Sequence, residues 1–136
     1  FVLVDNSYDT DDYSLTATYS STTGARETES NNSIDTADLI LRGVALTGQA
    51  SSISDIDYFR ADIEAASTAR FTFTSDGTDY SSHTITLYNS AGSEITSSKV
   101  NGNTTTDLLF EEASTIYGSV SGSYDTEDYT VQYDII

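Results

Sequence analysis

Acidic oxygens dominate the reactive groups of this 136-residue chain: 22 Asp and Glu stand against five Lys and Arg, for a net charge of -17. Chemistry built from such groups is that of hard cations, or of paired carboxylates in acid–base work. Two clusters are dense in them, "YDTDDY" from Tyr8 and "YDTEDY" from Tyr124, each packing three acids into six residues. Each reads first as an Asx-type turn whose Asp accepts backbone N–H bonds, with the second Tyr opening an inward-facing strand. The alternative reading is a metal loop. Catalysis has little to use. His83 is the only histidine, no G-x-S-x-G elbow occurs, and no carboxylate pair stands out from the rest. His83 opens the run "HTITLYN" and reads as an exposed strand-end residue; the chain reads as no enzyme. Tryptophan is absent, so a sugar-stacking platform would fall to Tyr80, Tyr88 and Tyr117.

The elements that must hold these groups are strands. "VALTGQ" (44–49), "DYFRADI" (57–63), "ARFTFTS" (69–75) and "HTITLYN" (83–89) place apolar residues at every second position. "SEITSSKV" (93–100), "DLLFE" (107–111), "TIYGSVS" (115–121) and "DYTVQYDI" (128–135) follow. Polar turns separate them: "SDGTD" at Ser75, "NSAGS" at Asn89, "NGN" at Asn101 and "SGSYDTED" at Ser121. The pattern predicts an all-β fold, a jelly-roll-like antiparallel β-sandwich of about eight strands. The one helical candidate is "SIDTADLIL" (33–41), where Ser33 or Asp35 would cap a short turn; an irregular loop is the other reading.

The two acidic clusters belong to a longer repeat. "FVLVDNSYDTDDY" from Phe1 lies over "YGSVSGSYDTEDY" from Tyr117 at a constant offset of 116, and the alternation "SLTATY" then lies over "TVQYDI". Residues 1–19 therefore read as a surplus N-terminal strand pair matching 117–135 and engaging a neighbouring copy. Residues 20–32, "SSTTGARETESNN", read as an acidic polar linker, and 33–136 as the sandwich domain. Phe1, Val2, Leu3, Val4, Tyr13 and Leu15 carry the apolar face that needs burial and form the expected assembly interface. Copies joined head to tail suit a filament or a tandem-repeat adhesin.

Charge excludes partners as well. Phosphate contacts need Lys and Arg, so nucleic acid is ruled out as a ligand, and anionic membrane surfaces likewise. No apolar run is long enough for membrane insertion by a helix. Cysteine is absent. A chain rich in Ser, Thr, Tyr and Asp points to an extracellular or cell-surface setting, and to a piece whose export signal lies elsewhere.

The stretch "ETESNNSIDTADLILRGVALTGQASSISDIDYFRADI" resembles the opening of the bacterial pre-peptidase C-terminal domain family. The matching residues are Glu27, Glu29, Asn31, Asn32, Ala37, Gly48, Asp55, Asp57, Tyr58 and Phe59, followed by the "LYNSAG" turn at 87–92 and "DYTVQY" at 128–133. Together they cover residues 27–134. Ser30 departs from the family's usual Pro. The resemblance implies a jelly-roll sandwich that is not itself catalytic, appended to secreted proteases or repeated in surface proteins. It also implies calcium as cofactor, held where the acidic linker meets the Asp-x-Asp turn: Glu27, Glu29, Asn31 and Asn32 with Asp55 and Asp57. Those carboxylates side by side would repel without a cation. Besides head-to-tail copies, the resemblance admits a second use, a calcium-dependent module on a secreted hydrolase that grips extracellular protein or polysaccharide.

Overall fold

A computed structural model describes residues 25–75, 82–122 and 128–136. Each of the eight alternating runs is a strand: β3 (Leu46–Gln49), β4 (Ile56–Ile63), β5 (Ser67–Ser75), β6 (His83–Tyr88), β7 (Glu94–Val100), β8 (Thr104–Phe110), β9 (Ser114–Ser121) and β10 (Asp128–Ile135). Two further strands of two residues each precede them, β1 (Ala25–Arg26) and β2 (Asp38–Leu39). The helical candidate resolves into a single 3-10 turn over Ile34–Thr36, entered from Ser33, whose hydroxyl meets that of Thr36 at 2.9 Å.

One sheet runs β1-β3-β10-β5-β8 and the other β2-β4-β9-β6-β7. With the eight longer strands counted alone, first to eighth, these orders become 1-8-3-6 and 2-7-4-5, the two-sheet jelly roll. Every pairing among them is antiparallel, whereas β1 joins β3 and β2 joins β4 in parallel, so both sheets are mixed. The expected jelly-roll-like antiparallel sandwich of eight strands is present, and the two short parallel strands are added at its edges. A two-residue strand has no period to read.

The alternation works as strand geometry requires, with one face of each strand turned inward. Phe59, Ala61 and Ile63 of β4, Phe71 and Phe73 of β5, Ile116 and Val120 of β9, and Tyr129, Val131 and Tyr133 of β10 are buried together. Phe71 stacks on Tyr133 with centroids 5.9 Å apart, and Phe73 on Tyr129 at 5.6 Å. Gly118 is required where it stands, because a Cβ there would land in the Phe59 ring. Ile116, 1% exposed at the centre of this packing, gives a modest test. Ile116→Val should cost about 0.5–1.5 kcal/mol in denaturant unfolding, the value of one buried methylene plus the void it leaves.

Between β6 and β7 the "NSAGS" turn forms as an Asx turn: Asn89 Oδ1 accepts from the backbone N–H of Ala91 at 3.0 Å and of Ser93 at 2.9 Å. The "SDGTD" and "SGSYDTED" turns fall largely outside the described residues, as does the cluster from Tyr8. So does all of 1–19, including Phe1, Val2, Leu3, Val4, Tyr13 and Leu15.

Candidate metal centre

Residues 25–31 run along the sandwich, held mainly through backbone hydrogen bonds. β1 pairs Ala25 with Leu46 and Arg26 with Thr47, and the Glu27 N–H then donates to Thr47 O at 2.9 Å. Thr28 N–H donates to Asp38 Oδ2 at 2.8 Å, and the Asn31 carbonyl accepts from Tyr58 N–H at 2.9 Å. The segment read from its composition as part of a polar linker thus carries its acids against β3 and β4.

The carboxylate oxygens of Glu27, Glu29 and Asp57 come within 4.8 Å of one another. Asp57 is 2% exposed and Asn31 1%. Tyr129 stands beneath them: its hydroxyl lies 2.6 Å from Asp57 Oδ2 and 3.1 Å from Glu27 Oε2. One phenolic proton can serve only one of these at a time. Glu27 Oε1 accepts the Gln49 N–H at 2.6 Å. Asn31 Nδ2 donates toward Glu27 at 3.4 Å and Asp38 at 3.2 Å, which leaves Asn31 Oδ1 without a partner among the described residues, as is Asp57 Oδ1. Gly48 makes this close approach feasible. A Cβ on it would collide with the Tyr129 hydroxyl and with Glu27 Oε2.

Burial is the main cost here. It pushes the Asp57 carboxyl up to about 7, and the charges of Glu27, Asp55 and Glu29 add to the rise while the Tyr129 hydroxyl opposes it. Burial also raises Glu27, against the Gln49 N–H that favours its ionised form. The Tyr129 hydroxyl is driven far above its ordinary range, first by burial and then by Asp57. An ionised trio without a cation is therefore held at a loss.

Of the six sequence-derived ligand positions, Glu27, Glu29 and Asp57 converge, and Asn31 adjoins them through Glu27. Asp55 stands apart from the trio, with its carboxylate accepting from the Ser51 N–H at 2.8 Å and the Ser51 hydroxyl at 2.5 Å. It lines, with exposed Asn32, the same hollow as Glu27 and Glu29. Asp38 and Tyr129 belong to the site and escaped the sequence reading. Tyr129 had a signal, since it closes the repeated "SYDT-D/E-DY" segment and heads an inward alternation.

His83 corrects another expectation. It is 2% exposed rather than surface-lying, with ring contacts to Phe73 at 5.2 Å and Tyr129 at 5.9 Å. As the first residue of β6 it shares the inward face with Ile85 and Leu87. Among the tyrosines, Tyr88 stacks on Tyr58 at 6.2 Å and lies opposite Tyr117 on the outer face of the second sheet, while Tyr80 falls outside the described residues. None of the described helical residues forms a helix long and apolar enough to cross a membrane.

No protein-family profile matches the chain, and no curated protein matches it. Solved structures do. The pre-peptidase C-terminal domain of a collagenase from Bacillus anthracis superposes with a TM-score of 0.54 at 13% identity, over 72% of this chain and 94% of that domain. The insecticidal delta-endotoxin Cry8Ea1 from Bacillus thuringiensis gives a TM-score of 0.41 at 11% identity, over 69% of this chain and 19% of the toxin. Set beside the jelly-roll strand order, the first of these defines the architecture: the chain has the fold of a pre-peptidase C-terminal domain.

Proposed function

We propose that the chain is a non-catalytic, extracellular β-sandwich unit whose acidic segment is clamped to the sandwich by calcium, and that such units join head to tail in a surface filament or tandem-repeat adhesin. The observation that carries the clamp is the convergence of Glu27, Glu29 and Asp57 beside two buried oxygens, Asn31 Oδ1 and Asp57 Oδ1, that have no partner among the described residues. This donor set is all oxygen and mostly anionic, which suits a hard divalent ion. Glu27, Glu29, Asp57 and Asn31 would hold the ion, with Asp55 and Asn32 beside the same hollow. Bound calcium supplies charge neutralisation. The protein's part is to bring residues 25–31 to β3 and β4 so that the ligands meet. Calorimetric titration should find one calcium per chain, lost in Asp57→Asn and weakened in Glu29→Gln. A titration with no heat for the parent protein would remove the clamp.

Head-to-tail joining is supported by the repeat. Tyr13, Leu15 and Ala17 stand at the offset of 116 from Tyr129, Val131 and Tyr133, the three buried residues of β10. Residues 12–19 thus carry the side-chain pattern of a last strand, although this sandwich already owns one. Negative-stain images of the full chain should show fibres.

A second reading is favoured by the likeness to a collagenase domain: a module that accompanies a secreted hydrolase and grips protein or polysaccharide. Monomeric particles that sediment with insoluble collagen or glycan would favour it.

A further inference from the structure

We infer that the open edge of β8 is the surface that receives residues 13–19 of the neighbouring copy, an inference that rests on the head-to-tail reading and names its docking place. The two sheets end in four strands, β1 and β8 in one, β2 and β7 in the other. β1 and β2 are two residues long, too short to template a partner. β7 carries Glu94 and Lys99, and its pairing with β6 is broken by a register shift between Leu87 and Tyr88. Charges and irregularities of that kind blunt an edge. β8 keeps an unbroken register with β5, its one partner among the described residues, over seven residues, Thr104–Phe110, without Pro, Gly or Lys. Its single charge, Asp107, is occupied by Arg70 through two bonds of 2.8 Å.

The core is also unfinished there. Leu108 and Phe110 pack against it yet remain only partly buried, and Leu109 is 74% exposed. A strand added beyond β8 would complete the ladder and cover the inward pair.

Charge selects the occupant. Two bodies of -17 repel, so the contact must come from uncharged chain. Residues 13–19, "YSLTATY", carry no charge, match β8 in length and alternate Tyr13, Leu15 and Ala17 on one face. A second β8 fits less well, because antiparallel pairing about the strand centre sets Asp107 against Asp107, and like charges directly opposite are unfavourable.

Reach also favours a contact between copies over one within a chain. β1 lies at the far side of the sheet from β8. A strand beyond β8 is five inter-strand spacings from β1, about 24 Å. The six Cα steps from residue 19 to Ala25 span at most about 21 Å even when straight.

The test uses the full chain in three forms, followed by sedimentation velocity and amide hydrogen exchange. Leu15→Asp alters the donor segment wherever it docks. Thr106→Lys places a charge on the inward side of β8; in the isolated sandwich its long side chain can escape past the open edge, whereas a docked strand would seal it in. The expected result is assembly of the parent with slowed exchange over 104–110. Both variants should sediment as monomers with the parent's circular dichroism and exchange rapidly over 104–110. If Leu15→Asp abolishes assembly while Thr106→Lys does not, and 104–110 exchanges equally in parent and monomer, β8 is not the acceptor although head-to-tail joining stands. A parent that stays monomeric at millimolar concentration overturns both.

Discussion

Calcium at about a hundredfold excess over its dissociation constant should raise the melting temperature at pH 8 by on the order of 10 °C relative to chelator, since such a ligand stabilises by about 2.7 kcal/mol. At pH 5 the increment should nearly vanish. The sign follows from Asp57. Its carboxyl titrates near 7 in the folded protein, above the ordinary 3.8, so between these values the native state holds a proton that the unfolded chain has released. The stability that this group contributes to the metal-free protein is fully present below about pH 4 and is lost as pH rises through about 7, a loss of a few kcal/mol. Glu27 is displaced in the same direction. Calcium needs the ionised carboxylates, so its effect grows over the window in which the metal-free protein weakens. Asp57→Asn removes both trends together: the chelated protein should melt higher than the parent at pH 8, its pH profile should flatten, and calcium should no longer shift it. Coincident melting curves with calcium and chelator at pH 8 would dismiss the clamp.

The sandwich was legible because its signal has a period. β4 buries every second residue over its eight positions and β5 does so at Ala69, Phe71 and Phe73, which is the alternation that runs such as "DYFRADI" display. The same period placed His83 inside with Ile85 and Leu87, and the surface reading failed by weighing the residue's polarity above its position. Residues 25–31 were harder. They look like a polar linker because composition reports side chains, while what docks them is the hydrogen bonding of Glu27, Thr28 and Asn31 along the chain. Glu27, Glu29 and Asp57 were found through resemblance. Asp38 could not be, since it lies on a strand of two residues. Gly48 was matched as a motif residue, and its reason appears only when Tyr129 is opposite it.

Tyr129 should be the costliest single side chain to remove from the site. It is 2% exposed, stacks on Phe73 and props up Asp57 and Glu27. Tyr129→Ala should therefore cost about 3–5 kcal/mol, as for other large core aromatics. Tyr129→Phe keeps the packing and deletes the hydroxyl, which leaves a buried carboxylate short of a donor at a cost of about 1–3 kcal/mol. That loss should be larger at pH 8 than at pH 5, because a protonated Asp57 no longer depends on the phenol, and calcium at pH 8 should shrink it. Gly48→Ala should cost about 1–3 kcal/mol by overpacking, its methyl forced against the same hydroxyl and Glu27. The two sites are directly opposed in the ladder, so their effects should not add. In the Tyr129→Ala background the space above Gly48 is vacated, and Gly48→Ala should cost measurably less than in the parent. Denaturant unfolding of the four proteins closes this cycle. Equal costs for Gly48→Ala in both backgrounds, or a Tyr129→Phe deficit independent of pH, would mean that Tyr129 fills the core without governing the carboxylates above it.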